Sequence, residues 1–172
     1  MKKILAILSL VIVAGCSNAQ SPKNAAAAKA GADKPIPPYR ILTADSVWAT
    51  PAKLKKDKPV MIIYFSPDCS HCQRMMYEFK PKMAALKNIQ VIMVTWSANY
   101  DLRALREFRR DYDLLKYPNF VLGTEGYTRL VQQYYNIMTT PYIAIYDKNH
   151  KLYKAFDKPT AVDTIVAAIK KV

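Results

Sequence analysis

The chain predicts an α/β fold in which a central mixed β-sheet is flanked by helices. Three observations carry that expectation. The run Val60-Met61-Ile62-Ile63-Tyr64-Phe65, bounded by Pro59 and Pro67, reads as a strand buried on both faces, since a strand with one wet face would alternate with polar residues. Directly after it, Cys72, Met76, Phe79, Met83 and Leu86 recur at spacings of three and four, the apolar stripe of a helix. A second strand-like run, Ile89 to Thr95, follows that helix. Two strands linked through a helix, with a hairpin and a closing helix beyond them, make a mixed sheet covered on both faces.

The remaining elements follow in order over a folded domain expected at residues 39–172. Tyr39-Arg40-Ile41-Leu42 and Ser46-Val47-Trp48, separated by Thr43-Ala44-Asp45, suggest an N-terminal hairpin extension. Pro51 to Leu54 reads as a helical turn. Pro81 should kink the helix that carries the stripe, because it lacks an N–H and crowds the preceding turn. After Thr95, Asn99 or Asp101 can cap a helix with apolar positions Leu102, Leu105, Phe108 and Tyr112. Tyr117 to Leu122 is a short strand or a loop, Gly123 to Gly126 a turn, and Tyr127 to Tyr135 a short helix. Pro141 to Tyr146 and Lys151 to Phe156 flank the polar turn Asp147-Lys148-Asn149-His150, a hairpin. Thr160 with Asp163 has capping-box spacing and opens a last helix.

The 172 residues, 51% of them hydrophobic, are enough for one ordinary core. The formal charge is +13. Without Lys2 and Lys3, 24 basic residues still face 13 acidic ones, about +11. The excess is scattered, and its one dense stretch, Arg103 to Arg110, is interleaved with acids. It therefore reads as the solvated face of a helix, a docking patch being the alternative, and a nucleic-acid partner is not expected. Lys2 and Lys3 precede Ile4 to Val13, an apolar run too short to span a bilayer. Residues 1–15 are thus expected to be a signal peptide. Its end, Val13-Ala14-Gly15-Cys16, resembles the bacterial lipobox, which implies that Cys16 is acylated; an ordinary cleaved signal is the alternative. Residues 16–38, rich in Ala, Lys and Pro without apolar periodicity, read as a lipid-anchored flexible tether. About 20 such residues span roughly 25 Å.

Lipidation at Cys16 would leave Cys69 and Cys72 as the only thiols of the mature chain. They sit in Asp68-Cys69-Ser70-His71-Cys72, where the central strand hands over to the helix. At that terminus, unpaired N–H groups and the positive end of the helix dipole favour a thiolate on Cys69. A C-x-x-C pair beside a strand–helix–strand pattern points to a redox dithiol.

Phe65 to Cys72 resembles the active-site stretch of the thioredoxin superfamily, and Thr139-Thr140-Pro141-Tyr142, roughly 70 residues later, opens the penultimate strand where that family places a cis-proline. The hairpin and anchor look most like its membrane-tethered reductase branch, related to TlpA and ResA. The resemblance covers about Tyr39 to Val172 and implies a thioredoxin-like fold. It implies an extracytoplasmic thiol–disulfide oxidoreductase that exchanges electrons with protein thiols and disulfides, more as reductase than as oxidase. Cys69 would attack and Cys72 resolve the mixed disulfide. No cofactor beyond the redox-active Cys69–Cys72 disulfide is implied. Electrons would come from a membrane electron-donor protein, on the periplasmic or outer side of a bacterial membrane. Ser17 after Cys16 favours the outer membrane where one exists. His71 either tunes the thiolate through a protonated imidazole or is merely an exposed polar residue. Pro141, if cis, would set the Thr140 backbone beside the cysteines to pair with a substrate strand; a trans proline opening an edge strand is the alternative.

Two departures qualify the resemblance. Ile63 stands where thioredoxin has a buried acid, so proton transfer must use water, Glu78 or another group. Asp68 stands where thioredoxin has tryptophan, and a carboxylate there would raise the thiolate's pKa. Three rival readings remain. A zinc site lacks a fourth ligand beyond Cys69, His71, Cys72 and the distant His150. A peroxiredoxin would match Ser66 but not Ile62, which replaces that family's proline, and would lack a separate resolving cysteine. A non-enzymatic binding module with a structural disulfide is the rival from another class.

Overall fold

A computed structural model describes residues 34–172. The expected leader, Cys16 and the tether up to residue 33 lie outside the described residues. Residues 35–38, assigned to the tether from composition, lie on the folded body. The hydroxyls of Tyr134 and Tyr146 donate to Pro35 O at 2.6 and 3.2 Å, and Pro37 is buried.

The strands are β1 (Ile41–Thr43), β2 (Trp48–Ala49), β3 (Val60–Tyr64), β4 (Gln90–Thr95), β5 (Phe120–Thr124), β6 (Tyr142–Tyr146) and β7 (Leu152–Phe156). They form one sheet in the order β2-β1-β5-β4-β3-β6-β7. β3, β4 and β5 run parallel, whereas β1, β2, β6 and β7 pair antiparallel with their neighbours. The sheet is therefore mixed, with β3 inside it between β4 and β6. The helices are α1 (Ser70–Phe79), α2 (Arg103–Asp111), α3 (Leu130–Tyr135) and α4 (Val162–Ile169).

Every residue of β3 is buried, and its period-2 alternation divides them between two cores. Met61 and Ile63 pack with Met76, Phe79, Leu105, Phe108 and Ile165 under α1, α2 and α4. Val60, Ile62 and Tyr64 pack with Val94, Val131, Tyr135 and Tyr142 on the α3 face. α1 ends at Phe79 and continues as a 3-10 segment, Lys80–Leu86. Pro81 forces that change, since its ring has no N–H for the carbonyl of Tyr77.

Three local expectations are corrected, and a fourth is narrowed to one of its alternatives. Gly123 and Thr124 belong to β5 instead of a turn, paired to β4 on one side and β1 on the other. A Cβ on Gly123 would stand 2.9 Å from the Ile41 side chain, so the glycine allows close strand packing. The helix expected from Tyr127 is broken at Arg129, whose φ of 48° separates a 3-10 turn, Gly126–Thr128, from α3. Thr160 forms no capping box: α4 begins after Ala161, and the Thr160 hydroxyl donates to Lys158 O. Asp163 instead pairs with Lys82. Of the two expected caps for α2, Asp101 accepts the Arg103 N–H at 2.9 Å, while Asn99 accepts the Tyr127 hydroxyl.

The arginines of α2 are not simply a solvated face. Arg109 pairs with Asp45 at 2.7 Å, and Arg106 donates to Ala44 O and to the Ser46 hydroxyl. They hold the β1–β2 turn onto α2.

Candidate active site

The C-terminal end of β3 runs into a tight loop. Phe65 N still donates to Val94 O, Cys69 N closes a turn onto Ser66 O, and the Gln73 side chain donates to Pro67 O at 2.8 Å. Cys69 is the N-cap residue of α1, with φ −79° and ψ 116°, and Cys72 lies within the first turn. The first thiol is partly exposed and the second fully buried.

Their chemistry differs accordingly. Partial burial alone pushes the Cys69 pKa up. Hydrogen bonds from the Thr140 side chain, from the backbone N–H and thiol of Cys72, and from the His71 N–H outweigh it and bring the pKa below the ordinary thiol value. For Cys72, burial dominates and pushes the pKa up to about 12; its neighbour Cys69 adds to the rise, and a backbone hydrogen bond from Ser66 opposes it. The His71 backbone N–H favours the thiolate, and the His71 side chain is exposed. Asp68 is exposed, next to Cys69 in the loop before α1.

The loop before β6 closes the site from the other side of the sequence. The Thr140–Pro141 peptide is cis, and as a thiol Cys69 Sγ lies 3.5 Å from its acceptor, Thr140 O. Pro141 is buried, and the Thr139 hydroxyl donates to Asp157 O at 3.1 Å, fixing the approach. The structure therefore brings together Cys69, Cys72, His71, Thr140 and Pro141. A cavity of about 570 Å³ beside them is lined by Tyr64, His71, Gln132, Ile137, Met138 and Thr140. A smaller one adjoins it at Ser66, Trp96 and Arg129.

Sequence reasoning missed Glu125, which is fully buried. It accepts the Tyr64 hydroxyl at 2.9 Å on one oxygen and the Val131 N–H at 2.8 Å on the other. Burial raises its pKa against those hydrogen bonds and the nearby Arg129. No local pattern marks it, since nothing in Thr124-Glu125-Gly126 distinguishes a buried carboxylate from a turn residue. Glu78 is exposed and lines a crevice with His71, Arg74 and Pro141. Among the described residues, no group of three His, Cys, Asp or Glu side chains is placed to hold a metal ion.

A dithiol at the mouth of a helix, following the central strand of such a sheet and faced by a Thr-Pro loop, defines a thioredoxin-fold protein. A family profile described as a thioredoxin-like domain matches residues 49–163, and the chain belongs to that family. No curated protein sequence matches it significantly. Among solved structures it resembles a secreted disulfide oxidoreductase of Mycobacterium tuberculosis homologous to DsbE of E. coli. That match has 17% identity and a TM-score of 0.65, and covers 78% of this chain and 96% of the other. It is also similar to an exposed lipoprotein thioredoxin of Streptococcus pneumoniae (18% identity, TM-score 0.58, covering 78% and 98%). A peroxiredoxin-like protein of Aquifex aeolicus is comparable (18% identity, TM-score 0.63, covering 82% and 86%). At these identities the likeness is one of fold.

Proposed function

We propose that this protein is an extracytoplasmic thiol–disulfide oxidoreductase, held to a membrane by a lipid on Cys16, that reduces disulfides of protein substrates. The observation that carries the reading is the asymmetry of the two thiols. Cys69 is accessible with a lowered pKa, and its neighbour is buried with a pKa of about 12.

The Cys69 thiolate attacks one sulfur of a substrate disulfide. That S–S bond breaks, a mixed disulfide forms, and the other substrate sulfur leaves as a thiolate. Burial still raises the Cys72 pKa at this stage. Conversion of Cys69 to a disulfide removes the part of the rise that its thiol and charge impose. Cys72 then loses its proton and attacks Cys69 Sγ, releasing the second substrate thiolate. Two electrons have passed to the substrate, and Cys69–Cys72 is a disulfide. Exposed Thr139 and half-buried Thr140 offer a backbone edge on which an extended substrate segment can pair. A membrane protein that donates electrons would restore the dithiol.

Anchoring and external location rest on the leader and lipobox of residues 1–16, and similar folds occur in a secreted and in a lipoprotein member of the superfamily. No helix among the described residues is long and apolar enough to cross a membrane. A peroxidase reading is weaker despite the peroxiredoxin-like neighbour, because Ile62 and the lack of a further described cysteine depart from that chemistry.

Insulin-reduction turnover tests the reaction. The parent should turn over and Cys69→Ser should not; equal rates would end the catalytic reading. The potential provides a second check, since a purely structural disulfide would lie below roughly −300 mV. The redox state of the pair in intact cells decides direction: mostly reduced for a reductase, mostly oxidised for an oxidase.

A further inference from the structure

A cavity of about 770 Å³ opens at the opposite end of the sheet from Cys69. Its walls come from the segments entering β3, β4 and β5, at Lys58, Gln90 and Asn119, whereas Cys69 follows the exit of β3. Five residues of strand separate the two ends, about 13 Å at 3.3 Å per step. The active site does not use this space.

The lining has a one-sided character. Lys53, Lys55, Lys58, Lys80, Lys87 and Lys116 rim it, and among the described residues no aspartate or glutamate does. Lys80 and Lys116 share Asp113, which lies outside the lining. The other four form no ion pair among the described residues. Between the lysines the surface is apolar, with Tyr39, Leu54, Met83, Ile92 and Val121. A concave low-dielectric wall lined by one sign of charge concentrates the counter-charge within it. The volume falls in the range of small-molecule sites, roughly 300–1,000 Å³.

The walls are also pre-formed. Gln90 Oε1 accepts the Lys55 N–H at 2.6 Å, and its Nε2 donates to Lys55 O and Lys58 O. Asn119 Nδ2 donates to Leu86 O and Ile89 O, both at 2.9 Å. Two side-chain amides thus pin the loops that carry the lysines, which lowers the ordering cost of binding.

We infer that this cavity is a second binding site, for an anionic amphiphile: a small molecule with a phosphate or carboxylate head and an apolar body. The head is read by the lysine rim and the body by the apolar floor. The site is independent of the dithiol chemistry.

Calorimetric titration of the full chain with dodecyl phosphate, below its micellar concentration, tests this. The expected result is one site per chain, at least tenfold tighter than for inorganic phosphate or dodecyl maltoside, and weakened by added salt. The double variant Lys55→Glu/Lys87→Glu should bind roughly tenfold more weakly, the scale of two nearby charges in a partly wet site. Its insulin turnover should match the parent's, which reports an intact fold. Should that variant fail to fold, Lys53→Gln/Lys58→Gln serves with the same expected direction. Equal affinity for the maltoside, equal affinity for inorganic phosphate, or no loss in the folded variants would each overturn the proposal. So would binding confined to phosphatidylglycerol vesicles, which would make this end of the protein a membrane-facing surface and not a ligand cavity.

Discussion

The Tyr64 hydroxyl donates to Glu125 Oε1 at 2.9 Å, joining the last residue of β3 to the residue that follows β5 across 61 positions of sequence. The same carboxylate caps the Val131 N–H, so one buried side chain ties together β3, β5 and α3. Tyr64 also lines the cavity beside His71 and Thr140, which places this pair directly under the candidate substrate groove.

Removing the carboxylate should cost more than removing its partner. Glu125→Ala orphans both the Tyr64 hydroxyl and the Val131 N–H in a buried place, at roughly 1–3 kcal/mol for each. We expect a loss of about 3 kcal/mol in urea unfolding. Tyr64→Phe breaks one bond and leaves the other, so about half that loss is expected. A Glu125→Ala variant as stable as the parent would show that the network contributes nothing to the fold.

Replacing Cys72 by serine should preserve attack and abolish resolution. Cys72→Ser is expected to accumulate a covalent mixed disulfide through Cys69, visible on a non-reducing gel and released by dithiothreitol. In Cys69→Ser the pair should trap nothing, because its remaining thiol, Cys72, is buried and protonated at neutral pH. Trapping by Cys69→Ser instead would reverse the roles assigned to the pair.

The two thiols should titrate far apart. Iodoacetamide alkylation of the reduced protein should follow a single ionisation below the ordinary thiol value of about 8.5, from Cys69. The linkage to stability has opposite signs at the two positions. The lowered Cys69 pKa contributes stability that is present above the unfolded pKa and is lost as pH falls through the folded one. The raised Cys72 pKa contributes stability that is full below the unfolded value and declines as pH rises from about 8.5 towards about 12. Unfolding free energies of the Cys72→Ser variant should therefore lack the alkaline part of that decline.

Gly126→Ala should be poorly tolerated. Its φ is +56°, and a Cβ there would meet the Tyr100 ring at 2.3 Å. Left-handed strain and the clash together should cost about 2–4 kcal/mol in thermal or urea unfolding. A neutral result would mean that the Tyr100 ring moves aside freely.

Much of this architecture is local in origin and so was legible beforehand. The β3 run, the α1 stripe, the kink at Pro81 and the β6–β7 hairpin each follow from a periodicity or a backbone constraint within a few residues. The C-x-x-C at the strand–helix junction is local in the same sense. Misread positions depended on neighbours distant in sequence. Gly123 suggests a turn until Ile41 is packed against it in the sheet, and Thr160 has capping-box spacing until α4 is seen to start one residue too late.

By itself the sequence determined which residues could form the strands and helices, and which two thiols could react, because hydrophobic period and motif spacing act over short range. Only the tertiary structure decided that Thr140 comes within 3.5 Å of Cys69, that Glu125 is buried against Tyr64, and that six scattered lysines rim one cavity. Those facts depend on strand order and loop closure, which bring residues 61 and 71 positions apart into contact and carry no local signature.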